Sequence, residues 1–100
     1  MTYQYYFVVA SQDFLVKEEP IEEILRERKN YYKNICKEID FWFIVNPSFI
    51  DNAMFYDNYK TLPKNCAAII SLDKQFIQWL KLRIGFVSIG TFQSPSLIYN

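Results

Sequence analysis

The residues of this chain that could do chemistry are few and placed oddly. Histidine is absent from all 100 residues, which removes the usual general base, the commonest metal ligand and the group that titrates near neutrality. Glu18, Glu19, Glu22 and Glu23 cluster. Without a Glu-x-x-His pair they form no di-iron ligand set, and glutamates at a helix start serve as dipole partners on a solvated face. Cys36 and Cys66 lie thirty positions apart with no base to activate them and no CxxC spacing, and read as buried thiols. The serines occupy no nucleophile elbow, and two glycines cannot build a phosphate loop. No catalytic residue, metal site or cofactor is therefore expected.

What remains is a charge in an apolar phrase. In KEIDFWFIVNP, residues 37–47, Asp40 stands beside Phe41, Trp42 and Phe43. Burying an unpaired carboxylate costs several kcal/mol, so Asp40 needs a partner. Arginine occurs only at 26, 28 and 83. On a helical wheel of about 100° per residue, Arg28 falls inside the apolar arc of Ile21, Ile24, Leu25, Tyr31, Tyr32, Ile35 and Cys36. Arg83 likewise falls between Trp79 and Phe76 in the arc of the second helix. The planar guanidinium is the cation best suited to a buried or interfacial carboxylate. Asp40 is thus expected to join one of these arginines, Arg83 ahead of Arg28, at an edge that faces a partner. Trp42 and Trp79 complete the candidate partner-binding set that the residues themselves suggest, while Phe41 reads as core.

The elements that must position these residues can be read from pattern. Residues 3–10 are β-branched and aromatic without Pro or Gly, and predict a strand. Residues 11–19 read as a polar connection. Pro20 suits the first turn of a helix running to about Cys36, and residues 39–45 predict a second strand. Residues 46–65 are ambiguous. Pro47 and Pro63 bracket Phe49, Ile50, Met54 and Phe55 at near-helical spacing, which suggests a short or irregular helix. Residues 66–71 predict a strand. Ser71 or Asp73 can cap a helix that stops at Gly85, and residues 86–92 predict a last strand before a tail.

The order β-α-β-(irregular)-β-α-β fits one α+β domain over residues 1–100. Its expected form is a two-layer ferredoxin-like plait, a four-stranded antiparallel sheet with helices on one face. Such a plait would leave the other sheet face bare and aromatic.

Composition narrows the partners. Aromatic residues make up 19% of the chain and formal net charge is zero. That disfavours nucleic acid and favours protein interfaces, where aromatics are enriched. A magnesium-porphyrin stacked on an aromatic face is the alternative occupant. No apolar run reaches the ~20 residues that span a bilayer, and the first residues read as neither signal nor transit peptide. Abundant Ile, Phe, Tyr, Asn and Lys match AT-rich codons and hint at an organellar genome.

KEIDFW at 37–42, EEPIEEILRER at 18–28 and AAIISLDKQFIQWLKLR at 67–83 resemble the cyanobacterial and plastid family of hypothetical chloroplast open reading frame fifty-four. The likeness covers nearly the whole chain and thins over 47–65 and the tail. It implies an accessory role in chlorophyll synthesis. Members of the family bind the membrane-associated di-iron subunit of the aerobic cyclase that converts magnesium-protoporphyrin IX monomethyl ester to protochlorophyllide. The resemblance carries interaction roles onto Asp40, Phe41 and Arg83. It also implies a plastid stroma or cyanobacterial cytoplasm location, peripheral to the thylakoid through the partner, with other chlorophyll-biosynthesis enzymes as further possible partners. A plastid-encoded copy would need no transit peptide.

Overall fold

A computed structural model describes residues 2–18, 21–46, 54–55, 65–85 and 87–95. Along the chain they form β1 (Tyr3–Ser11), a π-helical turn (Phe14–Glu18), α1 (Ile21–Asn34), β2 (Phe41–Val45), β3 (Met54–Phe55), β4 (Cys66–Ser71), α2 (Lys74–Ile84) and β5 (Ser88–Ser94). The sheet order is β2-β4-β1-β5-β3, and every neighbouring pair is antiparallel. Without β3, this is the strand order of a ferredoxin-like plait, so the expected fold class holds.

Three local readings change. The expected polar connection after β1 instead forms the π-helical turn, because Leu15 within it is fully buried. The Ser11 hydroxyl accepts from the Phe14 N–H at 3.1 Å and starts that turn. Met54 and Phe55, expected at helical spacing, form a strand against Thr91 and Gly90; Pro47, Phe49, Ile50 and Pro63 lie outside the described residues, as do Glu19, Pro20, Phe86 and the end of the tail. The last strand runs on to Ser94 because its ladder with β1 continues to the Tyr3–Ser94 pair.

Both helices cover one sheet face. Phe76, Ile77, Leu80 and Ile84 of α2 pack with Val8, Ala67, Ile69 and Ile89 of the sheet. From α1 only Ile21 and Tyr32 are buried. Tyr31 and Ile35, placed in the apolar arc by the wheel, are exposed, as is Cys36. The arc is therefore narrower than its composition suggests, and between Ile21 and Tyr32 only the part-buried Ile24 and Leu25 add to the core contact.

The opposite face is not bare. Tyr5, Phe7, Val9, Ala68 and Ile70 on it are all buried, with Trp42, Ile44 and Phe92 packed around them. Tyr5 stacks on Phe92 at 5.0 Å and meets Trp42 edge-on at 6.1 Å. Burial on both faces explains why β4 reads CAAIIS, an unbroken run of small and branched residues without polar alternation. An open aromatic platform for a porphyrin is absent from the centre of this face.

Candidate functional site

The second helix is built to hold an acid at its start. Asp73 is its N-cap, with an extended backbone, and its Oδ1 accepts from the N–H groups of Gln75 at 3.0 Å and Phe76 at 3.3 Å. These are two of the donors that a helix start leaves unpaired. The Ser71 hydroxyl accepts from the Asp73 N–H at 2.9 Å and fixes the turn. The other carboxylate oxygen of Asp73 is left pointing at α1.

Arg28 of α1 meets it there. Its Nη2 donates to Asp73 Oδ2 at 3.0 Å and to the Tyr32 hydroxyl at 2.8 Å. The guanidinium lies 3.7 Å from the centre of the Phe76 ring, a close cation–π contact. Its Nε is buried with no hydrogen-bond partner among the described residues, and stacking on Phe76 stands in for that bond. Arg28 and Asp73 side chains are 23% and 33% exposed, so the pair is neither dry nor freely solvated. It ties the middle of α1 to the first turn of α2.

Tyr32 carries the chain of contacts onward. Its hydroxyl donates to Asp40 Oδ1 at 2.8 Å, and Lys37 Nζ stands 3.8 Å from Asp40 Oδ2. The Tyr32 ring packs edge-on against Phe41 at 5.4 Å. Burial, then the hydrogen bond to Asp40 and the negative charge of Asp40, push the Tyr32 hydroxyl above the ordinary tyrosine pKa. It therefore stays protonated, as a donor to Asp40 must.

The partner of Asp40 is thus Tyr32 with Lys37, and the arginine in its network is Arg28, reached through Tyr32. The expected direct pairing with Arg83 is not what the chain forms. Arg83 is exposed, as is Trp79, because the core-facing arc of α2 centres on Ile77, Leu80 and Ile84 and leaves both at its border. Phe41 is buried beneath Tyr32 and Phe76. Trp42 points to the opposite sheet face and is half-buried. Tyr32 and Asp73 were missed as functional positions. The i,i+4 spacing of Arg28 and Tyr32 was the available signal for the first; nothing in the sequence shows that a capping aspartate has a second oxygen to spare.

Arg28, Asp73 and Phe76 form the floor of a groove between the helices. Glu23, Glu27 and Tyr31 of α1 stand on one wall, and Gln75, Trp79 and Arg83 of α2 on the other. Tyr31 is 60% and Trp79 49% exposed. The floor is held by internal bonds, and Tyr31, Trp79 and Arg83 are exposed at the rim.

Fold and groove together define a small ferredoxin-like plait whose charged groups brace its two helices. The chain belongs to the Ycf54 protein family, whose model matches residues 3–94. It is 53% identical over 89 residues to an uncharacterized ycf54 protein of the alga Porphyra purpurea, covering 89% of this chain and 82% of that one. A Ycf54-like protein of Synechocystis is 44% identical over 92 residues, covering 92% and 69% of the two chains. The solved structure of a protein from Nostoc superposes with a TM-score of 0.83 at 43% identity, covering 100% of this chain and 94% of that one. Relatives thus include cyanobacterial proteins and a chloroplastic protein of Arabidopsis thaliana. Among the described residues, no helix is long and apolar enough to cross a membrane.

Proposed function

We propose that the protein is a non-catalytic accessory factor of the aerobic magnesium-protoporphyrin IX monomethyl ester cyclase. It binds and stabilises the di-iron catalytic subunit, at the thylakoid surface of a plastid or cyanobacterium. Membership of the Ycf54 family supports this reading through the role that the sequence resemblance implies. A chain without histidine is also a poor candidate for the oxygen chemistry itself.

The observation that carries the reading is the rim of the helix groove, where Arg83, Trp79 and Tyr31 are exposed together. Trp, Tyr and Arg are the residue types that dominate binding hot spots. In this reading Arg83 and Trp79 touch the partner. Arg28, Asp40 and Phe41 hold the surface in shape, and Trp42 supports it from the other side of the sheet.

Capture of the tagged protein from photosynthetic membranes should bring down the di-iron subunit. Arg83→Ala should melt close to the parent yet lose binding by about tenfold or more. Arg28→Ala should lower the melting temperature first. Full-strength capture by a well-folded Arg83→Ala protein would remove Arg83 from the interface, and failure to capture the subunit at all would end the proposal.

A further inference from the structure

Among the described residues, β3 (Met54–Phe55) lies at one edge of the sheet. β2, at the other, is FWFIV: five apolar residues with no Lys, Pro or charged side chain. On its inner side β2 pairs with β4, in a register where Phe41 faces Ser71 and Val45 faces Ala67. The bonds flanking that ladder fix its phase. The Leu72 N–H donates to the Asp40 carbonyl at 3.0 Å, and the Asn46 N–H donates to the Cys66 carbonyl at 2.9 Å. In an antiparallel ladder the hydrogen-bonded residues alternate. The even-numbered residues 40 to 46 therefore face β4, and Phe41, Phe43 and Val45 turn their backbone N–H and C=O outward.

The side chains beside this open edge are apolar too. Phe43 is 37% and Val45 50% exposed. They line a groove of about 1000 Å³ on the β2 side of α1, together with Val16 and Ile39. This groove and the helix groove lie on opposite flanks of α1 and share no lining residue. Its α1 wall carries Glu22 toward the start of the helix and Arg26 and Lys29 further along.

We infer that the β2 edge is where a second copy of this chain binds, by antiparallel β2–β2 pairing about a two-fold axis at Phe43. The outward groups of Phe43 then meet those of Phe43 in the other copy, and Phe41 meets Val45, each pair exchanging both of its hydrogen bonds. The α1 helices run antiparallel on the same face, so Glu22 of one copy lies toward Lys29 of the other. Reversal of the charge sign along the α1 wall is what makes the surface complementary to itself. Arg26 lies near the axis, with its guanidinium exposed, and its repulsion is screened by water and salt. Pairing also stops at two copies. The two-fold contact uses the β2 edge of both copies, so it is isologous and closed. The inference is independent of the proposed cyclase role.

Sedimentation across micromolar to millimolar concentrations should show a reversible dimer. Phe43→Lys and Phe43→Glu each set like charges against each other on the axis and should each be monomeric. Mixed one to one, they should form a heterodimer. Val45→Pro removes an N–H that the monomer does not use, and should weaken the dimer more than about tenfold, since a symmetric interface loses the bond twice. Melting curves confirm that each variant is folded, and Val45→Pro serves if the Phe43 variants are not. A parent that stays monomeric, a dimer that survives these changes, or charge variants that do not associate when mixed would each overturn the inference.

Discussion

The two helices lie on the same sheet face and are held there by different physics. α2 buries Phe76, Ile77, Leu80 and Ile84, starts on a side-chain cap and ends at Gly85, whose φ is 95°. α1 is longer but buries only Ile21 and Tyr32. Ile24 and Leu25 add part-buried contacts with the core, and polar bonds complete the attachment: Arg28 to Asp73, and Tyr32 to Asp40. Burial of area is non-directional and tolerant of small shifts, whereas a guanidinium–carboxylate contact specifies position. α2 is therefore the stable half of the helical layer and α1 the half whose placement is set by a few bonds. Both candidate binding grooves are flanks of α1.

The strongest way to break this comparison is to remove equal side chains from each helix. Leu80 is fully buried and Leu25 only half-buried. Leu80→Ala should cost about 3 kcal/mol by chemical denaturation and Leu25→Ala about 1 kcal/mol. Equal losses would mean that α1 is docked by burial after all.

Asp73 belongs to both helices and separates the two mechanisms. Asp73→Ala removes the cap of α2 and the anchor of Arg28, and should cost about 2 kcal/mol. Asp73→Asn keeps a capping oxygen and loses the charge, and should cost about 1 kcal/mol. In the asparagine variant, hydrogen exchange should quicken in α1 while α2 keeps its protection. Equal loosening of both helices would show that Arg28 is not what positions α1.

Tyr32 offers a titration of the same tether. Its pKa is raised by burial and by Asp40, so the folded state holds the proton to higher pH than the unfolded state. The resulting stability is complete below about pH 10 and is lost as pH rises through the folded-state value. Tyr32→Phe should cost about 1 kcal/mol at neutral pH and flatten the alkaline fall in stability. A parallel fall in parent and variant would assign the alkaline limb to other groups.

The smallest effect concerns how α1 ends. The Lys37 N–H donates to the Tyr32 carbonyl at 2.9 Å and the Cys36 N–H to the Lys33 carbonyl at 3.3 Å. Cys36, with φ 55°, occupies the left-handed position that usually carries glycine. Cys36→Gly should stabilise the protein by roughly 0.5–1 kcal/mol. A neutral or destabilising result would show that the thiol side chain contributes packing that offsets its backbone strain.

Much of the layout was legible in the sequence. Strand β4, the Asp73 cap and the stop at Gly85 follow from apolar runs, capping chemistry and glycine, all of which act over a few residues. The plait followed from element order. The polar network was only half legible. Asp40 announced that it needed a partner, and Arg28 that it stood in an apolar arc. That Tyr32 joins them, and that Arg83 does not, depends on how far each helix rolls on the sheet, which a wheel cannot report.

Sequence alone determined where β4 runs, where α2 starts and stops, and that no histidine is available for chemistry. Tertiary structure alone decided that both faces of the sheet are buried and that β2 lies at its edge among the described residues. It also decided which arginine turns inward to Asp73 and which stays at a rim. The reason is range. Capping and periodicity act over a single turn or strand. Arg28 and Asp73, 45 residues apart, meet only because two helices cross the same sheet.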